Sequence, residues 1–303
     1  MRRVGGRWVA TCNKNGGPSG RANLLPFRVG DLVGGYIGRD FARKLEPFDD
    51  AFVVSATDVR VSSGLRTVGE RTKAVGRALE QLRDRGEISG WRDELYPVKA
   101  SFGEDPCLLI ERAAAPYFGL KAYGVHICAY VREEGSGKEK MWVARRSQTK
   151  QTSPGKLDHL VAGGQPYDLT PFANVVKECQ EEAGIPEELA ARAKAVGAVS
   201  YECLVEEGDA AWGGATGLKR DVLFCYDLEL PADFTPVNND GEVEEFMLWP
   251  VSRVAEAVLT TDEFKMNCNL VLIDFLVRHG HITPENCEGY LSLVAGLRAG
   301  ECS

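Results

Sequence analysis

Residues Gly163 to Pro186 read GGQPYDLTPFANVVKECQEEAGIP, a glycine pair followed by an amphipathic helix. At about 100° per residue, Glu178, Glu181 and Glu182 fall within one sector of that helix. Phe172, Val175, Val176, Cys179 and Ala183 share the side turned away from it. Asp168 or Thr170 stands before Pro171 as the N-cap, and Gly184 follows where a left-handed residue ends a helix. The element is bounded at both ends by residues chosen for backbone geometry.

A solvated acidic face is the plain reading of any E-x-x-E-E on a helix. Here, however, like charges three and four residues apart repel one another directly after a glycine loop. A cation recovers that repulsion. Carboxylate oxygens at this density suit Mg²⁺ or Mn²⁺ and, through the metal, a substrate's phosphates.

The run from Gly163 through KECQEEAGI resembles the Nudix box, whose pattern ends in Arg-Glu-apolar-any-Glu-Glu-any-Gly-apolar, and the spacing from Gly163 to Glu178 fits without insertion. Carried over by position, the resemblance implies metal binding by Glu178, Glu181 and Glu182, a loop opened by Gly163 and a helix closed by Gly184. Glu181 and Glu178 are then also the catalytic candidates. Two positions depart from the pattern: Leu169 stands where the family usually has glutamate, and Lys177 replaces an arginine. A lysine is a point charge where arginine is a planar fork, so its hold on Glu178 is less rigid.

The flanks KMWVARRSQTKQTSPGKLDHLVAGG and YDLELPADFTPVNNDGEVEEFMLW resemble one Nudix branch with an extra N-terminal region. That branch includes plant chloroplast-type Nudix proteins and the Nudix portion of thiamine pyrophosphokinase fusions. The resemblance implies an α/β fold: the Nudix α/β/α sandwich with a mixed sheet, preceded by a smaller α+β domain. It implies a metal-dependent hydrolase of a small organic diphosphate, with thiamine diphosphate or its oxidised analogues as the expected substrate and 8-oxo-dGDP as the competitor. Mg²⁺ or Mn²⁺ would make a bound water acidic enough to attack phosphorus.

The expected division is residues 1–115 and 116–303. The first part has a strand-turn region at LLPFRVGDLVGGYIGRDFARKL, an alternating stretch AFVVSATDVRV and a helix across ERTKAVGRALEQLRDRGEI that ends near Gly90. Asp31, Gly34 and Gly35 read as turn chemistry, since no phosphate-loop spacing is present. The second part runs from GLKAYGVHICAYV through MWVARRS and the Pro154–Gly155 turn to the box. It continues with a helix beginning near Pro186, strands at AVGAVSYECLV and DVLFCYDLEL, and a helix from about Asn269 to His279.

At 303 residues and 44% apolar composition the chain can build a full core, and its net charge of −8 argues against a nucleic-acid polymer as partner. Nine cysteines without a C-x-x-C pair read as free thiols of a reducing compartment. No apolar run approaches the ~20 residues that cross a bilayer, and no signal-type core follows the N-terminus. A soluble intracellular protein of cytoplasm or chloroplast is therefore expected, with no membrane partner.

Arg145, Arg146, Lys150 and Lys156 gather just before the box, and the first three are the candidates to meet a substrate diphosphate. The Nudix resemblance implies a late glutamate brought to the metals as ligand or general base, and the stretch NNDGEVEEF offers Glu242 and Glu245 for it, Glu245 as the catalytic candidate and Glu242 as a substrate contact. Trp142, Tyr201, Trp212 and Phe224 could stack on a ring or fill the core. His126 and His159 read as packed histidines. Two other classes stay open: a ligand-binding module in which the altered box has lost turnover, and an isomerase, for which Cys128, Cys179 and Cys225 look too buried. Capping the site, supplying substrate contacts and forming a homodimer are the roles open to the N-terminal part.

Overall fold

The protein is described by a computed structural model covering residues 5–150, 152–205 and 217–300. Two short helices come first, α1 (Gly5–Cys12) and α2 (Gly17–Arg21). A four-stranded sheet follows, ordered β2-β1-β4-β3, from β1 (Leu25–Val29), β2 (Leu32–Ile37), β3 (Phe52–Val54) and β4 (Val59–Val61), with α3 (Arg39–Leu45) between β2 and β3. Alternation in β1 buries Leu25, Phe27 and Val29. Helix α4 (Val68–Asp84) buries Ala74, Val75, Ala78, Leu79 and Leu82 and begins with a capping box between Thr67 and Glu70. It stops short of the expected end near Gly90 because Gly86 turns left-handed at φ +74°. A two-stranded ribbon, β5 (Leu95–Val98) with β6 (Leu108–Glu111), completes this core.

Gly34 and Gly35 correct the turn reading. Both lie in β2, and a Cβ on Gly35 would stand 2.2 Å from the Phe118 carbonyl oxygen. Gly35 is a glycine because another backbone passes close by, and Gly34 because the Val98 side chain does. The turn itself is at Gly30–Asp31, where Gly30 has φ +61°.

The second body is built on β7 (Lys121–Arg132), β8 (Glu139–Arg146), β9 (Leu157–His159) and β10 (Val161–Gly164), then α5 (Pro171–Ala183), the single turn α6 (Glu187–Ala190), β11 (Lys194–Val205), β12 (Gly217–Glu229), β13 (Val243–Pro250), α7 (Val251–Thr260), α8 (Cys268–Arg278) and α9 (Tyr290–Gly296). The strands form one mixed sheet ordered β11-β12-β7-β8-β13, with β10 on β7 and β9 on β8. Strand β7 is parallel to β12 and antiparallel to β8 and β10, which share its other edge.

Both faces of β7 are covered, so it reads as a nearly unbroken apolar run. Val125, Ile127, Ala129 and Val131 pack with Val175, Cys179 and Ala183 of α5, while Cys128 and Tyr130 pack with α7 and α8. This is the expected α/β/α sandwich. The expected division at 115/116 falls between β6 and β7. Yet α1 and α2 pack on the second body: Trp8 lies in its core and donates to the Val258 carbonyl at 2.7 Å, and Gly17 N–H donates to Glu202 at 2.8 Å.

The end of α8 is tied to the sheet by His279, whose Nε2 lies 2.8 Å from Asp227 and Nδ1 3.1 Å from Glu139. Burial alone would lower this imidazole's pKa, but the two carboxylates outweigh it and hold the pKa above the ordinary histidine value. The imidazolium's stabilisation is thus fully present below the unfolded pKa of about 6.5 and is lost as pH rises through the raised folded value. His279→Gln should destabilise the protein by about 2 kcal/mol near pH 6 and by clearly less at pH 9, as read by denaturant melts at both.

Candidate active site

Helix α5 starts at Thr170, whose hydroxyl accepts from Ala173 N–H at 3.2 Å, and ends at Gly184 with φ 61°. Ile185 N–H closes the end on the Cys179 carbonyl at 3.0 Å. Of the apolar residues expected on the buried side, Val175, Cys179 and Ala183 are buried, Val176 is half-buried and Phe172 is exposed at 42%. Phe172 sits in the first turn, beyond the edge of the sheet's cover. The loop before the helix is held by Asn174, which donates to the Gly164 carbonyl at 2.8 Å, and by Gln165, which donates to the Leu169 carbonyl at 2.7 Å. Position 169 thus contributes its backbone to the loop.

Strand β10 and the helix meet at a glycine. A Cβ on Gly163 would stand 2.2 Å from Cδ of Glu178, so the carboxylate lies directly on the strand backbone. Glu182 accepts from Ala162 N–H at 2.9 Å. Both acids have raised pKa values. For Glu178 the cause is burial, opposed by Lys177. For Glu182 it is burial, partly offset by the Ala162 N–H and reinforced by Glu178. Lys177 reaches Glu181 at 2.7 Å and Glu178 at 3.3 Å, so its single ammonium bridges two box glutamates. Glu181 is half-exposed, with 51% of its side chain open against 14% for Glu178.

The two late acids part company. Glu242 joins Glu182 and Asp240, each offering an oxygen within 4.8 Å of the others. Glu245 points away, 58% exposed and 3.9 Å from Arg145. Asp240 is a residue that the sequence reading missed, although it stands in the same NNDGE loop. The basic residues before the box all have partners within the protein: Arg146 donates to the Thr152 carbonyl at 2.8 Å and to Asp158 at 3.0 Å, Arg145 to the Gly155 carbonyl at 3.1 Å, and Lys150 pairs with Glu242. Lys156 caps the Asp262 carbonyl at 2.6 Å.

On the other side of Gly163 and Gly164 opens a cavity of about 500 Å³. Arg92, Arg112, Lys219, Arg220 and Lys265 line it, against one carboxylate, Asp221. Tyr96 and Tyr123 supply its aromatic wall. The aromatics singled out in the sequence do not: Trp142 and Tyr201 are buried in the cores, and Phe224 packs on Phe102 and Tyr123. Trp212 lies outside the described residues. His126 reaches the cavity wall and hydrogen-bonds His159 at 2.8 Å, both held neutral chiefly by burial, with the pKa of His159 at about 4. The cavity residues come singly from strands and loops, which leaves no sequence pattern to find them by.

Three buried thiols are pushed up by burial, to about 12 for Cys179 and Cys225 and well above the ordinary value for Cys128. None is a thiolate suited to isomerase chemistry. Eight cysteines of the described residues are free.

A helix bearing three glutamates, laid over a glycine pair on a doubly covered mixed sheet, defines a hydrolase of diphosphate-containing compounds. The chain belongs to the Nudix hydrolase family: the NUDIX domain model matches residues 122–268, and a domain of unknown function, DUF4743, matches residues 6–122. It is 48% identical to Nudix hydrolase 24, chloroplastic, and 47% identical to Nudix hydrolase 20, chloroplastic, both of Arabidopsis thaliana, over 97% of this chain and 78% of each relative. An uncharacterized protein of Saccharomyces cerevisiae is 43% identical over 69% of this chain and 61% of its own length. Among the described residues no helix is long and apolar enough to cross a membrane.

Gly163→Ala should drive Glu178 off the strand. A displacement near 1 Å lowers turnover about a hundredfold, and overpacking destabilises by about 1–3 kcal/mol. Steady-state rates and a thermal melt on the same preparation check both.

Proposed function

We propose that this chain is a Mg²⁺- or Mn²⁺-dependent diphosphatase that cleaves an oxidised or otherwise damaged thiamine diphosphate to the monophosphate. The observation that carries the reading is the acidic cluster of Glu182, Asp240 and Glu242, with Glu178 seated on Gly163 one helical turn away, beside a basic cavity sized for an organic ring system. Crowded hard oxygen donors fit a small divalent cation. The metal, when bound there, supplies charge neutralisation at the phosphates and a water of lowered pKa.

The chain's own residues divide the remaining work. Glu182, fixed by the Ala162 N–H, and Glu178, fixed on Gly163, hold the metal side. Glu181, more exposed than Glu178 and bonded to Lys177, takes the proton of the attacking water. Glu242, kept ionised by Lys150 against the opposing effect of burial, completes the ligand set. Arg145 and Arg146 act indirectly, by holding the loop and Asp158.

Charge in the cavity supports the choice of substrate. Five basic side chains face one carboxylate, so a thiazolium cation is disfavoured relative to its uncharged oxidised form, while the diphosphate is favoured in both. 8-Oxo-dGDP would meet the same electrostatics and is the competitor. Both plant relatives are chloroplastic by name, which supports the same compartment for this chain.

Product release should be measured for thiamine diphosphate, its oxidised analogues, 8-oxo-dGDP, ADP-ribose and isopentenyl diphosphate with Mg²⁺ or Mn²⁺. Oxidised thiamine diphosphate should lead, and Glu182→Gln should lose about a hundredfold or more. Mg²⁺ should raise the melting temperature of the wild type and leave that of Glu182→Gln nearly unmoved. Faster turnover of 8-oxo-dGDP would move the substrate assignment. Metal binding with no cleavage of any compound would make the protein a ligand-binding module.

A further inference from the structure

We propose that the N-terminal domain of unknown function supplies part of the substrate site, with Arg112 and Arg92 binding the phosphate next to the organic group. This inference rests on the diphosphatase reading of the carboxylate cluster and adds to it the residues that face the cluster from the other domain.

Three observations converge on Arg112. A Cβ on Gly164 would stand 3.1 Å from its Cζ and 2.4 Å from the Tyr96 hydroxyl, so the guanidinium and the phenol both rest on the strand residue next to Gly163. On the far side of that glycine pair lies the Glu178 carboxylate, near enough for its charge to act on Arg112. Last, the guanidinium is aimed: Nη1 is anchored on Glu94 at 2.7 Å, and Nε and Nη2 have no hydrogen-bond acceptor among the described residues. An anchored, planar fork with free donors at the mouth of a cavity is the geometry that takes a phosphate in bidentate fashion.

Arg92 stands on the same wall. It is exposed and lines the same cavity as Arg112, on the N-terminal domain's side of Gly163 and Gly164. Its backbone is fixed by a 3.0 Å bond from its N–H to Glu111. A diphosphate laid from the carboxylates across Gly163 and Gly164 therefore meets cations of the first domain on its organic side. The large glycine pair of β10 serves both contacts: Gly163 admits the acid, and Gly164 admits the base.

The test uses the full chain. Arg112→Ala should raise KM for the preferred diphosphate about 10- to 100-fold with kcat changed less than about threefold. Arg112→Lys should restore part of the loss, and Arg92→Ala should act in the same direction. Arg77→Ala, which removes a surface charge paired with Asp50, controls for net charge and should leave KM unchanged. Binding of inorganic pyrophosphate with Mg²⁺ by calorimetry, in a Glu181→Gln background, reads the same contact without turnover and should weaken tenfold or more on adding Arg112→Ala. Wild-type KM and unchanged pyrophosphate affinity in both arginine variants would overturn the inference while a dead Glu182→Gln left the hydrolase reading intact. An active Glu182→Gln would sink the hydrolase reading instead, and the calorimetric comparison would still decide the role of Arg112.

Discussion

Two carboxylates pressed against one strand organise this protein. Glu178 lies on the backbone of Gly163 and Glu182 takes the N–H of Ala162, so α5 cannot shift along β10 without losing both contacts. Burial raises both pKa values, and at Glu182 the repulsion of Glu178 adds to the strain. Lys177 relieves only part of it, because one ammonium is divided between Glu178 and Glu181. The sandwich makes this arrangement tenable: α5 is clamped through Val175, Cys179 and Ala183 onto β7, and its capped ends leave no slack. A helix held this firmly keeps like charges together that a free one would separate.

The other half of the electrostatics belongs to the cavity. Acids cluster on one side of the glycine pair and bases on the other, so the site is a dipole laid across a few ångströms of backbone. An overall charge of −8 conceals this. Much of the positive charge is held in place by pairing: Arg112 with Glu94, Lys219 with Asp221 and Arg220 with Glu202. Such pairs orient a cation without cancelling its field at a ligand placed on its open side.

The helix and its three glutamates were legible because one period, one cap and one left-handed glycine all fall within about twenty residues. The strands of the second body were legible for a similar reason, since burial on both faces writes itself as an apolar run. What escaped notice depends on distant contacts. Helices α1 and α9 are short, with apolar faces that make sense only against the far face of the sheet, whereas α7 spaces Val251, Val254, Ala255 and Val258 as a regular helical face. Gly34 and Gly35 looked like a turn, because a glycine that makes room for a neighbour, here the Val98 side chain and the Phe118 backbone, and one that reverses the chain are spelled alike. Of the two late glutamates, nothing local says that Glu242 turns toward Glu182 and Glu245 toward Arg145. Tyr96, in β5, and Arg112, in the turn directly after β6, belong to the other domain and carry no signal at all.

The pair of buried histidines sets the polarity of one spot on the cavity wall. Asp158 stays ionised, because Lys265 and Arg146 outweigh its burial, and it stands 3.5 Å from Nδ1 of His159. Nδ1 of His159 is buried without a hydrogen-bond partner among the described residues, so nothing beyond the 2.8 Å contact between the rings fixes which of the two neutral imidazoles donates there. The two tautomers are nevertheless coupled: when His126 donates from Nδ1 its Nε2, beside Gly124, is an acceptor, and when it accepts there its Nε2 carries the proton. A ligand reaching that wall with an N–H or with a carbonyl therefore selects the proton position of a ring it never touches.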